Sequence, residues 1–123
     1  MYSKEVIEKL EIVYTNNEAA ANELYNFAAR FANETHKTFT SDDIKAAFLM
    51  ADNALPENYN AIGAVFAKLA RNKVIYWHEK RMVPSSFPLS HGRLIRVYVS
   101  HAYRLKQQAN AINKNFPSIN FES

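Results

Sequence analysis

The chain has no cysteine, only two glycines and four prolines among its 123 residues. Without cysteine there is no disulfide framework, no thiolate nucleophile and no zinc–thiolate site. Glycine at 63 and 92 alone leaves no glycine-rich phosphate loop and no nucleotide fold of the usual kind. No apolar run approaches the roughly 18 residues that span a bilayer, and Met1 to Leu10 is charged rather than signal-like. What is present is ordinary for a globular protein, 48% hydrophobic and 22% charged residues. The expectation is a single cytoplasmic domain with no membrane association.

Charge is placed unevenly. Residues 1–65 carry five Lys/Arg against ten Asp/Glu, a net of −5, and residues 66–123 carry ten against two, a net of +8. A strongly basic second half suggests a surface that faces a polyanion, although a solvated face that balances acidic helices has the same composition.

Ser3 can cap a first helix whose apolar positions are Val6, Ile7, Leu10, Val13 and Tyr14. Asn16 and Asn17 break this helix or cap a second one over Glu18 to Ala32, where Ala21, Leu24, Tyr25, Phe27, Ala28 and Phe31 keep the helical period. Thr40 and Asp43 stand at capping-box spacing, with Phe39 and Ile44 placed for a hydrophobic staple. That helix runs to about Ala51 and buries Ile44, Ala47 and Phe48. Asp52 to Asn58 reads as a loop around Pro56.

From Tyr59 to Asn72 one arc holds Tyr59, Ile62, Val65, Phe66, Leu69 and Ala70, and the other holds Asn60, Ala61, Ala64, Lys68 and Arg71. The outward arc is small at its start and basic at its end. Beyond Lys73 the residues favour strands at 74–78 and 94–99. They are joined by a long turn containing Pro84, Ser85, Ser86, Pro88, Ser90, His91 and Gly92, which reads as a mobile tip. Of Tyr76 and Trp77, alternation sends one to the core and one to solvent. Phe87, apolar and flanked by prolines, has no evident core to enter and is a candidate protein-interface residue. A last helix follows from His101 to about Asn115, with Ala102, Leu105, Ala109 and Ile112 in period, and Pro117 ends it before a short tail.

Helix, capped helix, short loop, helix and basic hairpin is the order of a winged helix-turn-helix domain with extra N-terminal and C-terminal helices. The fold class is thus mainly α with a β-hairpin (α+β), in one domain over residues 1–123. It divides into a helical N-terminal part at 3–32, a winged-helix core at 39–100 and a C-terminal helix and tail at 101–123.

Three stretches carry a family likeness: Phe39-Thr40-Ser41-Asp42-Asp43-Ile44, Ala61-Ile62-Gly63-Ala64-Val65-Phe66, and Leu69-Ala70-Arg71-Asn72-Lys73-Val74-Ile75. Together with Ser85-Ser86-Phe87-Pro88-Leu89-Ser90-His91-Gly92 and Arg96-Val97-Tyr98, the sequence resembles short winged-helix proteins of unknown function encoded by bacteriophages and prophages. Those show F-T-x-D-D-V, A-x-G-A-V-F, A-x-x-x-G-L-I, S-x-x-P-x-x-H-G and R-V-W at the corresponding places. The likeness covers about half the chain and implies a fold and a phage setting rather than a reaction. Lys73 stands where the family usually has Gly, so Asn72 or Lys73 must take up the left-handed conformation there or avoid it. The tract after Ser100 extends past the family's usual end.

Catalytic chemistry finds little support. His36, His78, His91 and His101 lack the i, i+4 spacing of a helical zinc site. Ser85, Ser86 and His91 have no acid nearby except Glu79, and Asp42 and Asp43 are explained by the helix start. We therefore expect a non-enzyme with no cofactor and no metal. The first expectation is binding of double-stranded DNA. Asn60, Ala61 and Ala64 would meet base edges, Lys68 and Arg71 would pair with phosphates, and Lys80, Arg81, His91, Arg93 and Arg96 would add contacts from the hairpin. For His91, bonding the turn backbone is the preferred alternative to a phosphate contact. The alternative is a module that binds a host or phage protein through Phe87 and the thin helix face. A third is an assembly role, with a homodimer formed through the N- or C-terminal helices.

Overall fold

The computed structural model describes residues 2–115, apart from the side chains of Leu89 and of residues 113–115. The tail expected after Pro117 lies outside the described residues. The chain forms α1 (Lys4–Glu8), β1 (Tyr14–Thr15), α2 (Ala20–Glu34), β2 (Phe39–Thr40), α3 (Ser41–Met50), β3 (Leu55–Pro56), α4 (Tyr59–Arg71), β4 (Ile75–Pro84), β5 (Leu94–Ser100) and α5 (His101–Asn115). It is a mixed α+β fold in which helices enclose the core and a small antiparallel sheet, ordered β2-β5-β4, closes one side.

The first helix is shorter than its apolar spacing predicts. Ser3 does cap it, its hydroxyl accepting from the Val6 amide, but the helix ends at Glu8 and only Ile7 is buried. Tyr14–Thr15 instead pairs in parallel with Leu55–Pro56, and the Leu55 and Glu57 amides donate to the Val13 and Thr15 carbonyls at 2.8 Å. This pairing holds residues 13–15 extended, so Val13 and Tyr14 stay exposed, and it turns part of the expected 52–58 loop into a strand. Asn16 and Asn17 lie between β1 and α2, outside any helix. Asn17 Oδ1 accepts from the Ala19 amide just ahead of α2.

Three of the buried positions of α2 are Ala20, Ala28 and Ala32, joined by Leu24, all at i+4 spacing. Small side chains on that stripe let neighbouring elements approach closely. α3 begins as the sequence predicts. Thr40 Oγ1 accepts from the Asp43 amide and Asp43 Oδ2 accepts from the Thr40 amide at 2.8 Å. Phe39 and Ile44 are both buried, and Asp43 Oδ1 also takes the Tyr2 amide at 2.7 Å, tying the N-terminus to this cap. Ala46 rather than Ala47 is the buried alanine of α3.

Phe39 and Thr40 also form a strand that the sequence does not announce, pairing with Tyr98 and Val97 of β5. The aromatic core grows from this junction. Phe31 packs edge-on to Phe39 at 5.5 Å, Phe27 edge-on to Phe48 at 5.2 Å, and Phe66 stacks parallel to Tyr98 at 6.3 Å.

The hairpin departs from expectation in two ways. β4 does not end at His78. It bulges between Trp77 and Met82 and resumes pairing as Met82↔Arg96, Val83↔Ile95 and Pro84↔Leu94. Residues 78–81 oppose Val97 alone, Glu79 and Lys80 are both left-handed (φ 50° and 55°), and Trp77 Nε1 donates to the Arg81 carbonyl at 2.8 Å across the bulge. Neither aromatic of this strand reaches the core. Tyr76 is half-buried beside His101 and Arg104, and Trp77 is exposed beneath Arg96.

The second departure is the turn, which is docked rather than free. Asp42 of α3 accepts from the Ser85 hydroxyl at 3.0 Å and the Ser86 amide at 2.7 Å. Phe87 is 5% exposed, and the Lys45 ammonium lies 4.1 Å from its ring centroid. Phe87 is therefore a core residue and not an exposed anchor, because the turn folds back over the first turn of α3.

Candidate functional site: the exposed face of α4 and its flanking cleft

α4 is capped by Asn58, whose Oδ1 accepts from the Asn60 amide at 2.9 Å, and buries Val65, Phe66 and Leu69. At 100° per residue this fixes the opposite face. Asn60, Gly63, Ala64, Ala67, Lys68 and Arg71 are all exposed along it. Gly63 and Ala67 join this face although the sequence reading passed over them. The i, i+3, i+4, i+7 spacing from Asn60 was the available signal. Ala61 sits half-buried toward α2 rather than outward. Tyr59 and Ala70, expected in the core, are exposed, since they lie at the two ends of α4, beyond the buried stretch.

A Cβ added at Gly63 would meet nothing within 4 Å. The fold itself thus places no steric demand for glycine there, and glycine in an exposed helix interior costs roughly 0.5–1 kcal/mol relative to alanine. The thinness of this face is not a packing requirement.

One flank of α4 is a cleft of about 340 Å³ between the helix and the hairpin, lined by Tyr59, Gly63, Phe66, Met82, Arg93 and Arg96 among others, with no acidic side chain in its wall. Arg93 Nη1 donates to Tyr59 Oη at 2.6 Å, and its guanidinium lies 5.6 Å from that ring. Arg96 lies 4.2 Å from the Trp77 ring. Both arginines are thereby held by aromatic faces. On the other flank Lys68 lies 4.9 Å from the Tyr25 ring of α2, above a groove whose lining includes Glu18, Ala21, Ala61 and Ala64.

Lys80 and Arg81 sit on the exposed bulge, and His91 is exposed with left-handed backbone at φ 49°. Among the described residues, Lys68, Arg71, Lys80, Arg81, Arg93 and Arg96 form no ion pair. The structure brings Arg93 and Arg96 together on one wall of the cleft. Lys68 stands apart from them on the opposite flank of α4.

The buried charges lie elsewhere. Lys45 Nζ is 3.9 Å from Asp42 Oδ1 beneath the docked turn. Burial pushes the Lys45 ammonium below the ordinary lysine range, and the Asp42 carboxylate opposes that shift without cancelling it. Burial likewise pushes the Tyr98 hydroxyl up, against the opposing effect of Arg96. Among the described residues no group of three His, Asp or Glu side chains is placed to hold a metal ion, and no helix is long and apolar enough to cross a membrane.

No family model matches the chain, and neither a curated protein nor a solved structure matches it.

Proposed function

We propose that this chain is a small winged-helix DNA-binding protein of phage type, regulatory or replication-associated, with α4 as its recognition helix. The order α2, β2, α3, α4 and hairpin, with β2 joined to β5, supports that architecture. The observation that carries the reading is the exposed face of α4. It is thin at Asn60, Gly63, Ala64 and Ala67, basic at Lys68 and Arg71, and bordered by the acid-free wall that bears Arg93 and Arg96.

A thin helical face lets the backbone come close to base edges in a major groove about 12 Å wide. Unpaired cations on either side suit the two phosphate backbones, which position a protein without specifying sequence. Lys80 and Arg81 extend the same basic surface along the bulge. The turn at Ser85–Phe87 is docked on α3, whereas Glu79, Lys80 and Arg81 of the bulge are exposed. Ala61 has no part in base contact here.

Fluorescence anisotropy of the chain with random duplex DNA across a salt series tests the proposal. Affinity should fall with a log–log slope of roughly 0.9 per phosphate engaged. The double variant Lys68→Ala, Arg71→Ala should lower both affinity and slope. No binding at about 50 mM salt, where phosphate contacts are strong, would defeat the reading.

Exposed Tyr59, Met82 and Leu94 beside Arg93 and Arg96 favour a second reading, in which the cleft takes an acidic amphipathic segment of a host or phage protein. Under it, a chain that ignores DNA would still lose its partner on Tyr59→Ala.

A further inference from the structure

We infer, on the reading of α4 as a recognition helix, that Asn60 tells one base pair from another and that the base it selects is adenine. Along the exposed face of α4 stand Asn60, Gly63, Ala64, Ala67, Lys68 and Arg71. Glycine and alanine offer no side-chain hydrogen bond, and lysine and arginine only donate. On this face Asn60 alone sets a donor beside an acceptor.

The fold leaves that side chain free. The Asn60 backbone amide donates to Asn58 Oδ1 at 2.9 Å, but among the described residues its side-chain amide has no hydrogen-bond partner. By contrast Asn17, Asn58 and Asn72, which flank α2 and α4, are engaged: Asn17 Oδ1 takes the Ala19 amide, Asn58 caps α4, and Asn72 Nδ2 donates to Tyr25 Oη at 2.9 Å. Asparagine is also a poor helix former, so helix propensity does not call for it in the first turn of α4.

Its place suits a reader of bases. Residues in the first turn of a recognition helix reach base edges, and the next turn here holds Gly63 and Ala64, which add no bulk to keep the helix off the groove floor. Lys68 and Arg71 lie roughly 12 and 16.5 Å further along the axis, and Lys68 is held over the Tyr25 ring on the α2 flank. The major groove presents a different pattern at each base. Guanine offers two acceptors, N7 and O6, while cytosine offers a donor and thymine an acceptor beside a methyl group. Adenine offers the N7 acceptor next to its N6 amino donor. Asn60 Nδ2 can donate to N7 while Oδ1 accepts from the N6 amino group, two bonds that no other base satisfies together.

Selection of the full chain on a random duplex pool, followed by anisotropy on the selected site, tests this assignment. Wild type should fix adenine at one position, and each other base there should lower affinity about tenfold. At that position 7-deazaadenine, which lacks the N7 acceptor, should weaken wild type by a similar factor and leave Asn60→Ala unaffected. Asn60→Ala should bind all four bases there about equally. Asn60→Asp keeps only acceptors and should turn the preference toward cytosine, whose N4 amino group donates. An acid in the first turn of a helix is favourable, so this variant should fold as well as wild type, with far-UV circular dichroism as the check. An Asn60→Ala protein that keeps the adenine preference, or a wild type that prefers guanine or no base at all, overturns the assignment while leaving α4 a DNA-binding helix. A wild type that binds no duplex overturns both.

Discussion

Asp42 and Ser85, separated by 43 residues, are joined by a hydrogen bond of 3.0 Å that fastens the turn of the hairpin to the first turn of α3. The same carboxylate takes the Ser86 amide and faces the Lys45 ammonium. Asp42→Ala removes the acceptor of Ser85 and Ser86 at once and leaves the buried Lys45 cation unpaired. We expect a loss of about 3 kcal/mol in a urea unfolding curve. Asp42→Asn keeps an acceptor and should cost distinctly less. Equal losses for the two variants would mean that the acceptor geometry matters little.

Phe87 follows from the same contact. Its ring is buried under Lys45, so Phe87→Ala should remove about 3 kcal/mol of stability, as core phenylalanine truncations do. Any loss of DNA or partner binding should track that loss of fold. A variant as stable as the wild type but defective in binding would return Phe87 to an exposed role.

The limits of the sequence are visible in these residues. The Thr40–Asp43 cap, the span of α2 and the two faces of α4 were legible because each rests on local spacing. The contact of Asp42 with Ser85 was not, since an aspartate at a helix start already has a sufficient local explanation. Phe87 looked homeless for the same reason: its pocket is supplied by α3, distant in sequence. The parallel pairing of Tyr14–Thr15 with Leu55–Pro56 and the strand at Phe39–Thr40 involve two residues each, too few for a period to show. On α4, Ala61 turned out half-buried, and Gly63 and Ala67, assigned to neither arc, joined the exposed face. A helical wheel gives angles, but only the position of α2 shows which edge of the arc is covered.

Lys73 ends α4 in left-handed backbone at φ 59°. The Lys73 and Val74 amides donate to the Ala70 and Leu69 carbonyls at 3.0 Å, the two bonds of a Schellman ending. A lysine Cβ is strained in that conformation and glycine is not. Lys73→Gly should therefore stabilise the chain by about 1 kcal/mol, less the extra entropy glycine gives the unfolded state. Thermal unfolding would register it as a rise of a few degrees. An unchanged midpoint would mean that the entropy term cancels the strain.

Lys45 makes stability depend on pH in a definite direction. Its pKa is lowered by burial, so between the folded and unfolded values the unfolded chain binds more protons. Stability contributed by this group is thus gained as pH rises through that window, up to the ordinary lysine range. Tyr98 acts oppositely: its raised pKa means stability is lost once pH exceeds the ordinary tyrosine value. Urea midpoints measured from neutral pH toward about pH 10 should climb in the wild type and flatten in Lys45→Met. A climb that persists in the variant would assign it to another group.

Gly63 separates stability from recognition. Its exposed position and the open space around its missing Cβ mean that Gly63→Ala should add roughly 0.5–1 kcal/mol of stability. Gly63→Gln should be close to neutral for folding, because its Cβ meets nothing within 4 Å and its longer side chain can extend into the open cleft beside α4. If the thin face of α4 seats in a groove of DNA, the glutamine must be accommodated between helix and bases. Affinity should then fall about tenfold, near 1.4 kcal/mol, while the salt slope, set by phosphate contacts at Lys68, Arg71, Arg93 and Arg96, stays as it was. A glutamine variant that binds duplex DNA as tightly as the wild type would remove Gly63 from the contact, and with it the reason for a face this thin.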